Sequence, residues 1–86
     1  MAYICKTCLE IIRGETFYFL WTGRGYRVYH WDSDKRSLDL LSSNFFIKLE
    51  NARARAIAYA QSDSVTEKLR MKINALREEM EDLNKL

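Results

Sequence analysis

Two cysteines near the N-terminus, Cys5 and Cys8, have the spacing with the clearest chemical meaning in this sequence, Cys-x-x-Cys. Such a pair is typical of a redox dithiol, a disulfide or half of a zinc site. A thioredoxin-like dithiol needs a βαβ setting, which this sequence does not predict, and a disulfide across so short a loop constrains the unfolded chain very little. Zinc is the remaining interpretation, and it requires further ligands.

The further ligands must come from the downstream sequence, where His30 is the only histidine. There is no third cysteine, so Asp34, with Asp32 as the alternative, or a water molecule must complete a tetrahedral site. The sequence therefore predicts one Zn²⁺ per chain, held by Cys5, Cys8, His30 and Asp34. The alternative interpretation makes both cysteines small buried hydrophobes, the histidine a hydrogen-bonded core residue and the aspartates helix caps.

A β-hairpin is predicted to position these ligands. Residues 16–21 and 26–31 are rich in aromatic and β-branched side chains, which suit strands, and Gly23 and Gly25 between them permit a tight turn. Strand alternation places Phe17, Phe19 and Trp21 on one face of the first strand, and Tyr18 and Leu20 on the other. On the return strand the residues that share a face are Tyr26, Val28 and His30.

Residues 4–34 resemble the first finger of LIM domains and related treble-clef zinc fingers. The resemblance rests on these residues: Cys5-x₂-Cys8, Ile12, Gly14-Glu15 and Tyr29-His30. In that family a cysteine normally follows the histidine after two residues, and Ser33 occupies that place here. The resemblance implies a zinc-stabilised binding module rather than a catalyst.

Residues 35–86 lack Gly and Pro and are predicted to be helical throughout, starting at capping residues 32–34. Residues 61–64 are the place where a break would fall, since Ser64 and Glu67 match a capping box there. From residue 64 onward a coiled-coil pattern recurs at alternating three- and four-residue steps. Its members are Leu69, Ile73, Leu76, Met80 and Leu83. A helical hairpin, one long bent helix and a coiled coil all remain open.

The predicted fold is therefore α+β, with a zinc knuckle and β-hairpin over residues 1–34 and long helices over 35–86, including a coiled-coil-like segment 64–86. Eighty-six residues allow one small domain. No apolar run approaches the roughly 20 residues of a membrane span, and no secretory signal is recognisable, so we expect a cytoplasmic protein. A single histidine without a recognisable acid–base partner or phosphate-binding loop predicts neither an enzyme nor a small-molecule substrate.

Two functions fit these features. The first is a small regulatory or adaptor protein that docks on a protein partner, or on a second copy of itself, through the coiled-coil positions and the finger. The alternative is a nucleic-acid-binding transcription regulator, although a net charge of +2 is mild for that role. Its phosphate contacts would come from Lys6, Arg13, Arg24, Arg27, Lys35 and Arg36. By fold-level analogy alone, a small finger with a helical tail is typical of transcription regulators and viral regulators.

Overall fold

A computed structural model describes residues 7–84 as a four-stranded antiparallel sheet followed by two helices. The strands are adjacent in sequence order, so the sheet is a simple meander. The elements are β1 (Thr7–Ile12), β2 (Glu15–Trp21), β3 (Tyr26–Asp32), β4 (Ser37–Leu40), α1 (Leu49–Gln61) and α2 (Val65–Asn84).

The strands are joined by short turns with turn-specific backbone geometry. Arg13 and Gly14 both have positive φ, +52° and +81°, as a two-residue hairpin connection between β1 and β2 requires. At the β2–β3 turn the Thr22 hydroxyl donates to the Gly25 carbonyl at 2.9 Å. Gly25 packs against the backbone of residues 45–46, where a Cβ atom would lie only 3.0 Å from Phe46 O.

The core lies between α1 and one face of the sheet, which we call the inner face. Phe17, Phe19 and Val28 project from β2 and β3 and are fully buried. Ala52 and Ala56 of α1 are fully buried against them, because small side chains let the helix approach the sheet closely. The predicted β-hairpin and its division into two faces are therefore confirmed.

The prediction of helix from residue 35 onward is wrong over residues 35–48. Ser37–Leu40 forms the fourth strand, paired with β3, and Phe46 returns to bridge Tyr26 before α1 begins at Leu49. The capping residues at 32–34 close a turn instead of a helix, since Asp32 Oδ1 accepts from the backbone amides of residues 34 and 35. An aspartate makes the same contact in a turn as at a helix N-terminus.

Of the alternatives that the sequence leaves open, the structure has the break, because α1 ends at Gln61 and α2 starts at Val65. The chain thus forms two helices and not one bent helix. Neither helix of the described residues is long and apolar enough to cross a membrane.

Candidate interaction site

Helix α2 starts at a side-chain cap. The Glu67 amide donates to Ser64 Oγ at 3.2 Å, which is half of the predicted capping box. The Glu67 carboxylate accepts from Ser62 Oγ at 3.3 Å rather than from a backbone amide. The cap fixes where the helix begins and hence which of its faces turns toward the sheet.

The N-terminal half of α2 is anchored to the sheet by two lysines. Lys68 Nζ donates to Glu15 Oε2 at 2.8 Å and Lys72 Nζ donates to Asp39 Oδ2 at 2.7 Å. Both ammonium groups also approach the ring of Tyr59, at 5.3 and 5.4 Å from its centroid. A tyrosine face attracts cations, so the ring at the end of α1 holds both lysines beside their carboxylates.

The C-terminal half of α2 has a second anchor. The Arg27 guanidinium makes a two-pronged contact with the Glu79 carboxylate, with Nη1 3.0 Å from Oε1. Ser43 Oγ donates to Glu78 Oε1 at 2.8 Å. Lys72 contacts Asp39 on β4, and Glu78, further along α2, contacts Ser43 just beyond the end of β4. The helix therefore runs beside β4 in the same direction.

The anchors shift the ionisation of their members. Burial raises the pKa of Glu15, but the hydrogen bonds from Lys68 and His30 outweigh it, so the pKa lies below its ordinary value. Burial also raises the pKa of Asp39, but the hydrogen bond from Lys72 is the main cause that brings this pKa below its ordinary value. Burial lowers the pKa of Lys72, but its carboxylate partner and Tyr59 raise it above the ordinary value. The carboxylates of Glu15 and Asp39 and the ammonium group of Lys72 are therefore charged at neutral pH.

With its polar face used for anchoring, α2 leaves its predicted coiled-coil positions exposed. We call these five residues the α2 stripe. Their side chains are between 50% and 63% exposed: Leu69, Ile73, Leu76, Met80 and Leu83. Ala75, on the side facing the sheet, is buried, and Met71 packs against the core. The helix therefore contributes little to the core while presenting a continuous apolar edge.

The sheet face opposite α1, which we call the outer face, is also apolar. Two rows cross all four strands: Leu9, Tyr18, Tyr29 and Leu40, and beside them Ile11, Thr16, Trp31 and Leu38. An antiparallel sheet with one solvated face normally alternates apolar inward and polar outward. Here seven of these eight outward positions are apolar or aromatic. Helix α2 borders the face along β4, where Leu40 is buried, while Leu9, Ile11, Trp31 and Leu38 stay exposed.

The α2 stripe and the outer face meet in a groove of about 720 Å³ beside β4. Its apolar lining comes from both: Tyr29, Leu38 and Leu40 of the sheet, and Leu69, Ile73 and Leu76 of the helix. Asp32, Lys35 and Lys72 contribute charged groups to the same lining. Asp34, Asp39 and Lys68 also line the groove, which therefore combines apolar side chains with charged groups of both signs. A concave lining of apolar side chains with some polar groups is typical of a binding site.

His30 lies on the inner face, only 6% exposed, between the rings of Phe17 and Tyr59. Its Nε2 is 2.8 Å from Glu15 Oε1, so Nε2 carries the proton and donates to the carboxylate. Burial and the nearby charge of Lys72 lower the pKa of His30, which keeps the ring neutral at pH 7. Its Nδ1 atom has no hydrogen-bond partner among the described residues.

The described strands do not bring Cys8 and His30 together. Cys8 lies on β1 opposite Phe19, and His30 lies on β3 opposite Phe17, with β2 between them. The fully buried side chains of Phe17 and Phe19 project from β2 on the same face, between the two positions. Cys8 instead packs against the core, as the alternative interpretation expects.

The other predicted zinc ligands do not complete a site either. Cys5 lies outside the described residues, as does Lys6. Asp34 is exposed at the β3–β4 turn, and Asp32 caps that turn while contacting Lys72. Across residues 7–84 no group of three His, Cys, Asp or Glu side chains is placed to hold a metal ion. Zinc binding stays a prediction.

The predicted phosphate-binding residues are spread over the sheet. Arg13 and Arg36 lie in the β1–β2 and β3–β4 turns at one end of the sheet, and Arg24 lies in the β2–β3 turn at the other end. Arg27 is paired with Glu79, and Lys35 is within 4 Å of Asp32 and Asp39. These cations form no single basic surface in the described chain.

Sequence reasoning missed the anchoring groups Glu15, Asp39, Tyr59, Lys68 and Lys72. One signal was present, because two lysines four residues apart on one helix face repel each other unless carboxylates lie opposite. Which carboxylates these are depends on the fold, since the partners are 53 and 33 residues away in sequence.

Comparisons of this chain with protein-family models, with curated proteins and with solved structures each found no match.

Proposed function

We propose that this chain is a protein-docking module, an adaptor or small regulator that holds another polypeptide on its outer face and α2 stripe. The observation that carries the proposal is that the outer face is apolar across all four strands. Monomeric proteins rarely leave a large contiguous apolar surface exposed, and such surfaces usually mark interaction sites. The groove beside β4 adds the concave shape that a bound segment needs.

The energetics support docking on this surface. Fully burying a leucine-sized side chain contributes about 1.5–3 kcal/mol, so a half-exposed one contributes roughly 1 kcal/mol when covered. Leu9, Ile11 and Leu38 of the outer face are each about half exposed or more, as is every residue of the α2 stripe. Covering these eight side chains would contribute on the order of 8 kcal/mol, comparable with the 4–15 kcal/mol cost of association.

A coiled-coil contact by α2 belongs to this proposal, because the spacing of the α2 stripe is that of a and d positions. Binding is favoured over acid–base catalysis, since the only histidine is buried between two aromatic rings. Nucleic-acid binding stays a prediction, and the separation of its cations at two ends of the sheet does not favour it.

Site-specific photocrosslinking in living cells tests the proposal. A benzoylphenylalanine replaces Ile73 in the α2 stripe, and the matched control carries it at Ala54, which is exposed on α1. We expect a crosslinked protein species of defined mass from position 73 only. A second substitution, Leu76→Glu, should remove that species by placing a charge in the apolar contact.

The proposal is refuted if position 73 gives no protein adduct, or gives the same adducts as position 54. Circular dichroism of each purified variant verifies that the fold is intact, so a negative result cannot come from unfolding. Because position 73 is half exposed and makes no hydrogen bond through its side chain, the replacement is expected to fold.

A further inference from the structure

The outer face and the α2 stripe are two apolar surfaces that meet at a common border, the groove beside β4. Whatever covers them must match both a nearly flat sheet and a helix along one side of it. Another copy of this chain offers the same two surfaces. We propose that the outer face and the α2 stripe form the interface of a twofold-symmetric homodimer in which the two α2 helices run antiparallel. This inference rests on the proposed docking function and names its partner.

The size of the surface fits a dimer. Burying a leucine-sized side chain removes on the order of 100 Å² from water. Ten apolar side chains with exposed fractions between 36% and 74% therefore supply roughly 600 Å² per chain. They are Leu9, Ile11, Trp31 and Leu38 of the outer face, Val65, and the five residues of the α2 stripe. The half-buried Tyr18, Leu20 and Tyr29 extend the same face toward the about 800 Å² per partner of a standard interface.

The direction of α2 determines the symmetry. Sheets that pack face to face lie about 10 Å apart, so two outer faces can form a sandwich. If the twofold axis lies between the sheets and perpendicular to the strands, both β4 strands fall on the same side of the sandwich. Because α2 runs beside β4 and in its direction, both α2 helices then lie on that side with opposite directions. A single twofold rotation thus covers both the outer face and the α2 stripe of each chain.

The charge distribution along α2 favours this antiparallel arrangement. Residues 65–77 carry four cations and one carboxylate, whereas residues 78–84 carry four carboxylates and no cation. In an antiparallel pair the basic half of each helix lies beside the acidic half of the other. A parallel pair would place like charges together, which is unfavourable. Arg70, Arg77, Glu81 and Asp82 are exposed and have no ion pair within residues 7–84, so they are free to act between chains.

Sedimentation equilibrium of the purified full chain tests the proposal. One variant reverses the basic half, Arg70→Glu with Arg77→Glu, and a second reverses the acidic half, Glu81→Lys with Asp82→Lys. We expect the native chain to be dimeric, and each variant to dimerise at least about tenfold more weakly, a change of about 1.4 kcal/mol. Mixing the two variants should restore a dimer of native affinity. Glu50→Lys, exposed on α1, is the control and should dimerise like the native chain.

The outcomes separate this inference from the proposed function. A native chain that stays monomeric at millimolar concentration overturns the homodimer, and a crosslink from position 73 to a different protein would then leave the docking function standing. A dimer that neither charge reversal weakens, or that the mixture does not restore, overturns the antiparallel arrangement. A second test, independent of the ion pairs, is Ile11→Lys on the outer face: it should weaken the dimer by placing a charge in the apolar contact, and a dimer left unchanged overturns the role of the sheets in the interface.

Discussion

Replacing Lys72 with methionine tests whether the α2 anchor holds the helix to the sheet. The change keeps the apolar stem that packs beside Tyr59 and removes the ammonium group. Lys72 Nζ lies 2.7 Å from Asp39 and 3.6 Å from Asp32, so both carboxylates lose a partner. The native contact is mostly buried, since the side chain of Lys72 is only 12% exposed.

The expected loss of unfolding free energy follows from these contacts. A hydrogen bond to a charged group contributes about 1.5–3 kcal/mol. The carboxylates are about one-fifth exposed, and Lys35 Nζ remains 3.5 Å from Asp39, so solvent and the second cation reduce the loss. We therefore expect Lys72→Met to cost about 1–2 kcal/mol. For a domain of this size that corresponds to a fall in Tm of roughly 5–12 °C.

Urea and thermal unfolding at one fixed protein concentration measure the effect. Lys48→Met is the control, because the Lys48 side chain is exposed just before α1, lies outside the proposed dimer interface and has no ion pair among the described residues; it should change stability by less than about 0.5 kcal/mol. The pKa of Asp39 is lowered in the folded state, so its contribution is present above its ordinary value of 3.8 and is lost as pH falls through the lower folded value. The difference between Lys72→Met and the native chain should shrink over that acid range.

Two results would refute this reasoning. One is a loss of stability in Lys72→Met no larger than in the control Lys48→Met. The other is a difference from the native chain that persists undiminished as the pH falls through the lowered folded pKa of Asp39, where the carboxyl group loses the charge that Lys72 pairs with. A double mutant with Asp39→Asn should be no less stable than Lys72→Met alone, because the interaction is already absent.

Three further substitutions have defined outcomes. Gly25→Ala should cost about 2–3 kcal/mol in urea unfolding, since φ is +153° and Phe46 O crowds the new Cβ; Gly23→Ala, with open space around it, should cost less. Ser64→Ala should cost about 1 kcal/mol by removing the α2 cap, and an unchanged midpoint would contradict that role. The folded pKa of His30 is below 6.5, so native stability should fall as pH drops below 6.5; His30→Gln should flatten that segment of the pH profile.

The sequence was sufficient for the parts of the fold that local chemistry determines. The hairpin of β2 and β3 follows from alternating aromatic residues around two glycines, and the start of α2 follows from Ser64. The five residues of the α2 stripe were identified as one helix face from their spacing, whereas the sequence left open whether that face packs inward or is exposed.

The prediction of helix over residues 35–48 failed because the structure of this segment depends on long-range contacts. Leu38 and Leu41 are three residues apart and fit a helix, yet Leu38 lies on β4 and Leu41 buries itself on the inner face. Short apolar runs fit strand and helix alike until a pairing partner is known, and here that partner is β3. The prediction of the site was incomplete for the same reason, since Glu15 and Lys68 are far apart in the sequence and come into contact only in the folded chain.

Helix α2 is joined to the rest of the described chain mainly through charged side chains, with Ala75 and Met71 as its buried apolar contacts. Such an attachment weakens with ionic strength far more than the core between α1 and the sheet does. The amide protons of α2 should consequently exchange with deuterium faster than those of β2 and β3, by an opening that leaves the core closed. Occupation of the α2 stripe would slow that exchange, so deuterium uptake reports on binding without knowledge of the ligand.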